Sequence, residues 1–326
     1  MAQSGNGRPR NPVRGVLHER PPHFKHRPLP GWPERKIFGA ADEEAEQKAV
    51  VKKLREKFGG EITGVSDFRG DLAVTLKKEK ILEICEFLRD DPELRFDMLS
   101  DLCGVDYMGR EPRFETVYHL YSIDKKHRLR LKVPLEESDA KLDSVTGVWL
   151  GANWFEREAF DLFGIGFDGH PNLRKILTHE DFAAHALRKD HDPGKRFALK
   201  KPLEMLYARR ELDEAIKDKD DPLGEQMILN IGPSHPATHG THRFQVVLDG
   251  EKIVRCRPEI GYLHRCFEKM CETHTYQQAI PYTDRLNYCS SFMNNVGFCL
   301  AAEKLLGIEA PPRARHIRVI LSEFNR

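Results

Sequence analysis

M-I-L-N-I-G-P-S-H-P-A-T-H-G, Met227 to Gly240, followed closely by F-Q-V-V-L, Phe244 to Leu248, reads as a strand, a loop bounded by Gly and Pro, and a second strand. Asp249-Gly250-Glu251 has turn chemistry, and Lys252 to Cys256 then pairs back, so the loop stands at the tip between strands. His235 and His239 are four residues apart, the spacing that on a helix would aim two imidazoles at one metal. Pro233, Pro236, Gly232 and Gly240 break helical geometry, and no Glu follows His235, so the metal reading is disfavoured. Ser234 and Thr238 beside the two histidines make a polar loop suited to a ligand. Further on, I-G-Y-L-H-R-C-F-E-K (Ile260 to Lys269) opens a helix predicted over Leu263 to His274. Y-T-D-R-L-N-Y (Tyr282 to Tyr288) begins a longer one, capped by the Thr283 hydroxyl, running to Leu306 and ended by Gly307. A third starts at Pro311-Pro312 and is still in pattern at Arg326, which suggests a chain shorter than the domain it belongs to.

Upstream of these elements the periodicity changes. Ala45, Ala49, Val50, Leu54 and Phe58 recur at helical steps from Asp42, and Gly59-Gly60 stops them. Glu61 to Ser66 and Leu72 to Leu76 alternate like strands, Glu79 to Arg89 puts Ile81, Leu82, Cys85 and Leu88 on one helical face, and Phe114 to Ile123 with Leu129 to Val133 reads as a hairpin. The fold class is α+β. Ser144 to Phe163 is predicted helical, with Trp149, Trp154, Phe155 and Phe160 on an apolar side and Glu156, Arg157, Glu158 and Asp161 expected to face water. Glu158 and Asp161 are three apart and share a face; a paired-carboxylate acid/base site competes there with a packing role, which the absence of an accompanying His, Lys or phosphate loop favours.

Four segments follow: a basic Pro-rich tail over 1–40, an α+β domain over 41–180, a charged extension and linker over 181–225, and a strand-then-helix region over 226–326. The tail carries eight Lys/Arg against two Glu in its first 36 residues and lacks the apolar core of a secretory signal. Over the whole chain of 326 residues the net charge is +1 with 32% charged residues, which gives no nucleic-acid footprint. No apolar run approaches the roughly 20 residues a membrane-spanning helix needs. The seven cysteines are odd in number and form no C-x-x-C pair, against a disulfide framework, a zinc ribbon or an iron-sulfur site. No metal site is expected.

The blocks at 232–240, 260–269 and 282–288 resemble, in order and spacing, the amino-terminal part of the quinone-site (D) subunit of NADH:quinone oxidoreductase, respiratory complex I. E-R-E-A-F-D-L-F-G-I-G-F-D-G-H-P-N-L-R-K-I-L, Glu156 to Leu177, resembles the signature of the C subunit of the same complex, so the chain resembles the C/D fusion. The resemblance implies an α+β domain like that of the C subunit, followed by the start of a helical domain related to the hydrogenase large subunit, with most of that bundle absent. It also implies that His239 and Tyr288 donate to the two quinone oxygens, with His235, Thr238 and Gly240 shaping the loop. Arg265 would approach an iron-sulfur cluster held by the adjacent B subunit; a salt bridge from Arg265 to Glu268 or Glu272 explains that residue equally. The chain would bind no cofactor itself: quinone is the substrate, while iron-sulfur clusters, FMN and NAD sit on partners. The B and I subunits, and the H subunit of the membrane arm, are the implied neighbours, on the cytoplasmic side of the bacterial inner membrane. Cys266 stands where Gly is usual and Asn287 where Asp is common. The nearest rival, a large-subunit component of a membrane-bound hydrogenase-related complex, needs a nickel-binding C-x-x-C that is missing between Arg265 and Arg326. A non-catalytic scaffold subunit is the third reading.

Overall fold

The computed structural model describes residues 48–179, 181–195, 197 and 227–326. The basic tail over 1–40, the start of the first helix and the charged run Arg209 to Asp221 lie outside the described residues. Mixed α+β architecture is observed. Helix α1 (Ala49–Phe58) leads into strands β1 (Ile62–Phe68) and β2 (Asp71–Leu76), then helix α2 (Ile81–Asp90). Strands β3 (Met98–Asp106), β4 (Phe114–Tyr121) and β5 (Arg128–Leu135) complete a five-stranded sheet in the order β1-β2-β5-β4-β3. All neighbours are antiparallel except β2 and β5. A short parallel pair, β6 (Lys141–Asp143) with β7 (Gly166–Asp168), flanks helix α3 (Ala152–Phe163).

Register sorts the side chains onto two faces. Val74, Leu131, Tyr118 and Leu102 stand opposite one another across four strands and are almost completely buried, because period-2 alternation delivers them to one side. Val51 and Leu54 of α1, and Ile81, Ile84, Cys85 and Leu88 of α2, join them in one core. Each such side chain contributes roughly 1.5 to 3 kcal/mol of burial. Trp149 reaches into this core and still satisfies its indole N–H on the Phe96 carbonyl at 3.0 Å. The opposite face is polar, with Asp101 beside His119 and His119 beside Arg130.

Strand β3 has no counterpart among the elements expected from sequence. Its register slips between Leu99 and Asp101, and this bulge breaks the alternation that marks a strand in sequence. The helix expected over Ser144 to Phe163 begins only at Ala152, since residues 144–151 are held as turns by the side chain of Glu156. It ends as expected at Gly164, which is left-handed.

The second region opens with β8 (Met227–Ile231), β9 (Arg243–Asp249) and β10 (Lys252–Glu259), an antiparallel sheet in the order β10-β9-β8. Helices α4 (Phe267–Cys271), α5 (Tyr276–Thr283), α6 (Ser291–Leu306) and α7 (Pro312–Asn325) follow, with a 3-10 segment Asp284–Ser290 before α6. Thr283 ends α5 rather than capping a long helix. Its hydroxyl lies 2.8 Å from both the Ile280 carbonyl and the Asn295 side-chain oxygen. The true cap is Thr275, whose side chain and that of Gln278 close a capping box. Helix α4 is much shorter than the span predicted over Leu263 to His274. Among the described residues no helix is long and apolar enough to cross a membrane.

Candidate functional site

The loop between β8 and β9 is anchored at its base by an ion pair. Arg243, 8% exposed, donates from Nε to Glu259 at 2.7 Å, and Tyr262 donates to the same carboxylate. At the loop's start Gly232 is left-handed, with φ +91, and a Cβ there would collide with the His242 carbonyl. Only glycine lets the chain double back so tightly. Inside the loop a single 3-10 turn spans Pro236–Thr238, and the Thr238 hydroxyl lies 2.8 Å from the carbonyls of both His235 and Gly240. His239 follows in the left-handed region, with φ 48, and both it and His235 are exposed. Thr238 thus closes the turn through its hydroxyl and its amide, and both histidines stay exposed.

Tyr288 lies in the 3-10 segment before α6 and is 43% exposed. Among the described residues no hydrogen bond or ring contact links it to His239. Arg265 is exposed in the turn before α4. It makes no ion pair among the described residues, so its reading as a partner of Glu268 or Glu272 is corrected. Glu272 is taken by Lys189 and Lys269 instead. Cys266 sits at φ 50, a left-handed position, which gives a physical reason for glycine to be preferred there. Burial, then the negative charges of Glu268 and Asp161, push its thiol up to about 11.

The acids of helix α3 are corrected in the same way. Glu156 and Asp161, expected to face water, are fully buried, and Glu158 is the exposed member. Asp161 accepts from the amides of Ile176, Leu177 and Thr178 at 2.8 to 3.0 Å and from the Thr178 hydroxyl, so its charge folds the segment after β7 back onto the helix. Arg157 does the same from the donor side, reaching the carbonyls of Arg174 and Lys175 at 3.1 Å. Glu156 accepts from Ser144 and the Val145 amide. Glu158 and Asp161 are therefore no acid/base pair: Asp161 is used up by backbone amides.

A contact missed by sequence reading joins the regions. Residues 185–191 pack along α3 and the end of β3: the Leu187 amide donates to the Leu162 carbonyl at 3.1 Å, and the Lys189 amide donates to Asp106 at 2.8 Å. Asp106 is buried against a bidentate Arg113; burial alone would raise its carboxyl, but the guanidinium and the Lys189 amide outweigh it and hold it low. From the other side Lys269 donates to the Arg188 carbonyl at 2.7 Å, and Gly261, at φ +98, lets the I-G-Y turn approach the Leu177 carbonyl. A Cβ at Gly261 would come within 2.6 Å of that oxygen. The blocks 156–177 and 260–269 thus touch.

The family described as "Respiratory-chain NADH dehydrogenase, 30 Kd subunit" matches residues 74–197. The NADH-quinone oxidoreductase C/D subunit of Bdellovibrio bacteriovorus is 50% identical over 259 residues, 79% of this chain and 45% of that protein. The C/D subunit of Azotobacter vinelandii is 42% identical over 297 residues, 86% of this chain and 50% of that one. A solved structure, "Nqo5 of the trypsin-resistant fragment (1-134)", is 35% identical with a TM-score of 0.34 and covers 38% of this chain and 96% of that one. The chain spans about half the length of the curated relatives it matches. Residues 74–197 thus match the 30-kDa subunit family, and the chain is similar over most of its length to NADH-quinone oxidoreductase C/D subunits.

Proposed function

We propose that this chain is a peripheral-arm subunit of respiratory complex I and forms part of its quinone headgroup site. The observation that carries the reading is the 232–242 loop, closed on itself by the Thr238 hydroxyl, which leaves His239 left-handed and exposed. Quinone takes two electrons and two protons to become quinol. A phenol, ordinarily near 10, is protonated at neutral pH and can donate, while an imidazole, ordinarily near 6.5, exchanges between its neutral and charged forms around that pH and can relay a proton. Tyr288 and His239 fill these roles in the proposal, with His235, Thr238 and Gly240 shaping the loop. Electrons arrive from an iron-sulfur cluster held by the B subunit, beside which the Arg265 cation favours the reduced form. FMN, NAD and the clusters belong to partners, and the chain has no activity by itself. The I and H subunits are its other neighbours, it lies on the cytoplasmic side of the bacterial inner membrane, and quinone reduction is coupled to proton translocation. The 41–180 domain acts as the scaffold, 181–225 as the extension and 226–326 as the site.

The test is Tyr288→Phe in the assembled complex. The change removes one hydroxyl and keeps the ring, so assembly survives. Quinone reduction should fall by about a hundredfold or more, the scale of a lost proton donor, while NADH oxidation by an artificial acceptor is unchanged. Equal quinone turnover in mutant and wild type would remove Tyr288 from the site.

A further inference from the structure

We propose that Asp101, Cys103 and His119, on the polar face of the five-stranded sheet, form a binding site for a zinc-type divalent transition-metal ion. The site lies apart from the histidine loop and departs from the expectation that the chain holds no metal. Asp101 and His119 face each other directly across β3 and β4, and Cys103 is two residues along β3 on the same face. One donor atom from each, a carboxylate oxygen, a thiol sulfur and an imidazole nitrogen, lies within 4.8 Å of the other two. With metal–ligand bonds of roughly 2.0 to 2.3 Å, tetrahedral ligands stand about 3.3 to 3.7 Å apart, so small side-chain rotations bring the three donors onto one ion. Both strands belong to the sheet, so the donors are mounted on rigid backbone. Sequence could not show this: His119 is sixteen residues beyond Cys103, outside any linear metal-binding spacing.

Donor chemistry selects the ion. One thiolate and one imidazole suit zinc or cobalt rather than magnesium or calcium, which take oxygen ligands, and a lone thiolate cannot hold an iron-sulfur cluster. Asp101 and the thiolate neutralise a divalent ion, with the neutral imidazole third and a water completing four ligands. Binding releases the Cys103 thiol proton to solvent. Burial, then the charges of Asp101 and Glu158, push the Cys103 thiol up to about 11, so a bound ion has to displace a proton held more tightly than usual. Glu158 of α3 and Glu115 act on Cys103 alongside Asp101; Arg130 opposes them. Arg130 also faces His119 from β5, with Lys132 acting in the same sense, and Asp71, 3.6 Å from the Arg130 guanidinium, partly offsets them.

The experiment uses the full chain, stripped with a chelator and titrated with cobalt(II), then with zinc(II). Wild type should develop a thiolate-to-cobalt charge-transfer band that zinc abolishes. That band should weaken in Cys103→Ser and in His119→Gln by one site's worth, with cobalt affinity reduced about tenfold or more and circular dichroism unchanged. The other six cysteines contribute equally to all three proteins and cancel in the difference. Peptide mass spectrometry after thiol alkylation provides a readout that needs no variant: zinc should protect Cys103 in the wild-type chain. Bands of equal intensity in wild type and both variants, or a Cys103 alkylated at the same rate with and without zinc, would overturn the proposal.

Discussion

Residues 48–168 enclose a core in which Val74, Leu131 and Tyr118 are fully buried, whereas the hundred residues from Met227 to Arg326 bury only Val246, Val247 and Ala279 among their apolar side chains. Helices α6 and α7 bury none at all. They hold to each other through Arg318 on Glu303 and the Phe292 amide on Asn325. Leu300, Ile320 and Phe324 meanwhile face outward, Phe324 being 90% exposed. The contrast shows where each region draws its stability. The first region's sheet and three helices cover one another; the second has helices whose apolar surfaces are left exposed, and helices of this length are marginal in water without tertiary packing. The proposed chemistry sits in the region with less packing, fixed at the base of its loop by Arg243 and Glu259 and steadied by the 185–191 segment against α4.

The largest effect that can break this comparison is a cavity. Leu131→Ala should destabilise the chain by roughly 2 to 5 kcal/mol, the range for a fully buried leucine. Leu300→Ala, at a site 55% exposed, should stay within about 0.5 kcal/mol. Denaturant titration measures both, and similar costs would mean that the second region is as closed as the first.

A smaller effect comes from Glu156. Burial raises its carboxyl to about 7, against the hydrogen bonds from Ser144 and Val145 that favour the ionised form. Its folded pKa stands above the ordinary 4.5, so the stability it contributes is complete below about pH 4.5 and is lost as pH rises through 7. In Glu156→Gln, whose amide can both donate and accept there, that part of the pH dependence should vanish. The difference between wild type and variant across this window should be on the order of 2 to 3 kcal/mol. Identical slopes of stability against pH would place the titration elsewhere.

The smallest change sharpens the second region. Cys266→Gly should stabilise the chain by about 1 kcal/mol or less, because glycine adopts φ 50 freely while the Sγ contact to His264 at 3.6 Å is lost. A destabilised variant would mean that the Cys266 side chain packs more tightly than the left-handed backbone costs.

Much of this arrangement is legible in the residues. Strands β1, β2, β4, β5, β8 and β9 follow from apolar alternation, and α6 and α7 stop and start at Gly307 and Pro312 as expected. Strand β3 hides behind its bulge, and Ser144 to Trp149 looks helical because Val145, Val148 and Trp149 serve a core rather than a helix face. The T-x-x-Q of Thr275 to Gln278 is the signal for α5 that the reading left unused. The acids of α3 mislead because amphipathic patterning assumes that charge faces solvent; a buried carboxylate collecting three backbone amides leaves no periodic trace. Exposure of His239 cannot be read from sequence at all, since it depends on how the turn around Pro236–Thr238 closes.

Thermal unfolding of two separate pieces, residues 48–195 and 227–326, tests the contrast most directly. The first piece keeps its sheet, its three helices and the 185–191 segment docked on Asp106, and should unfold in one cooperative transition. The second should show no cooperative transition and bind no quinone. A sharp, cooperative melt of 227–326 with near-native helix content would contradict the account.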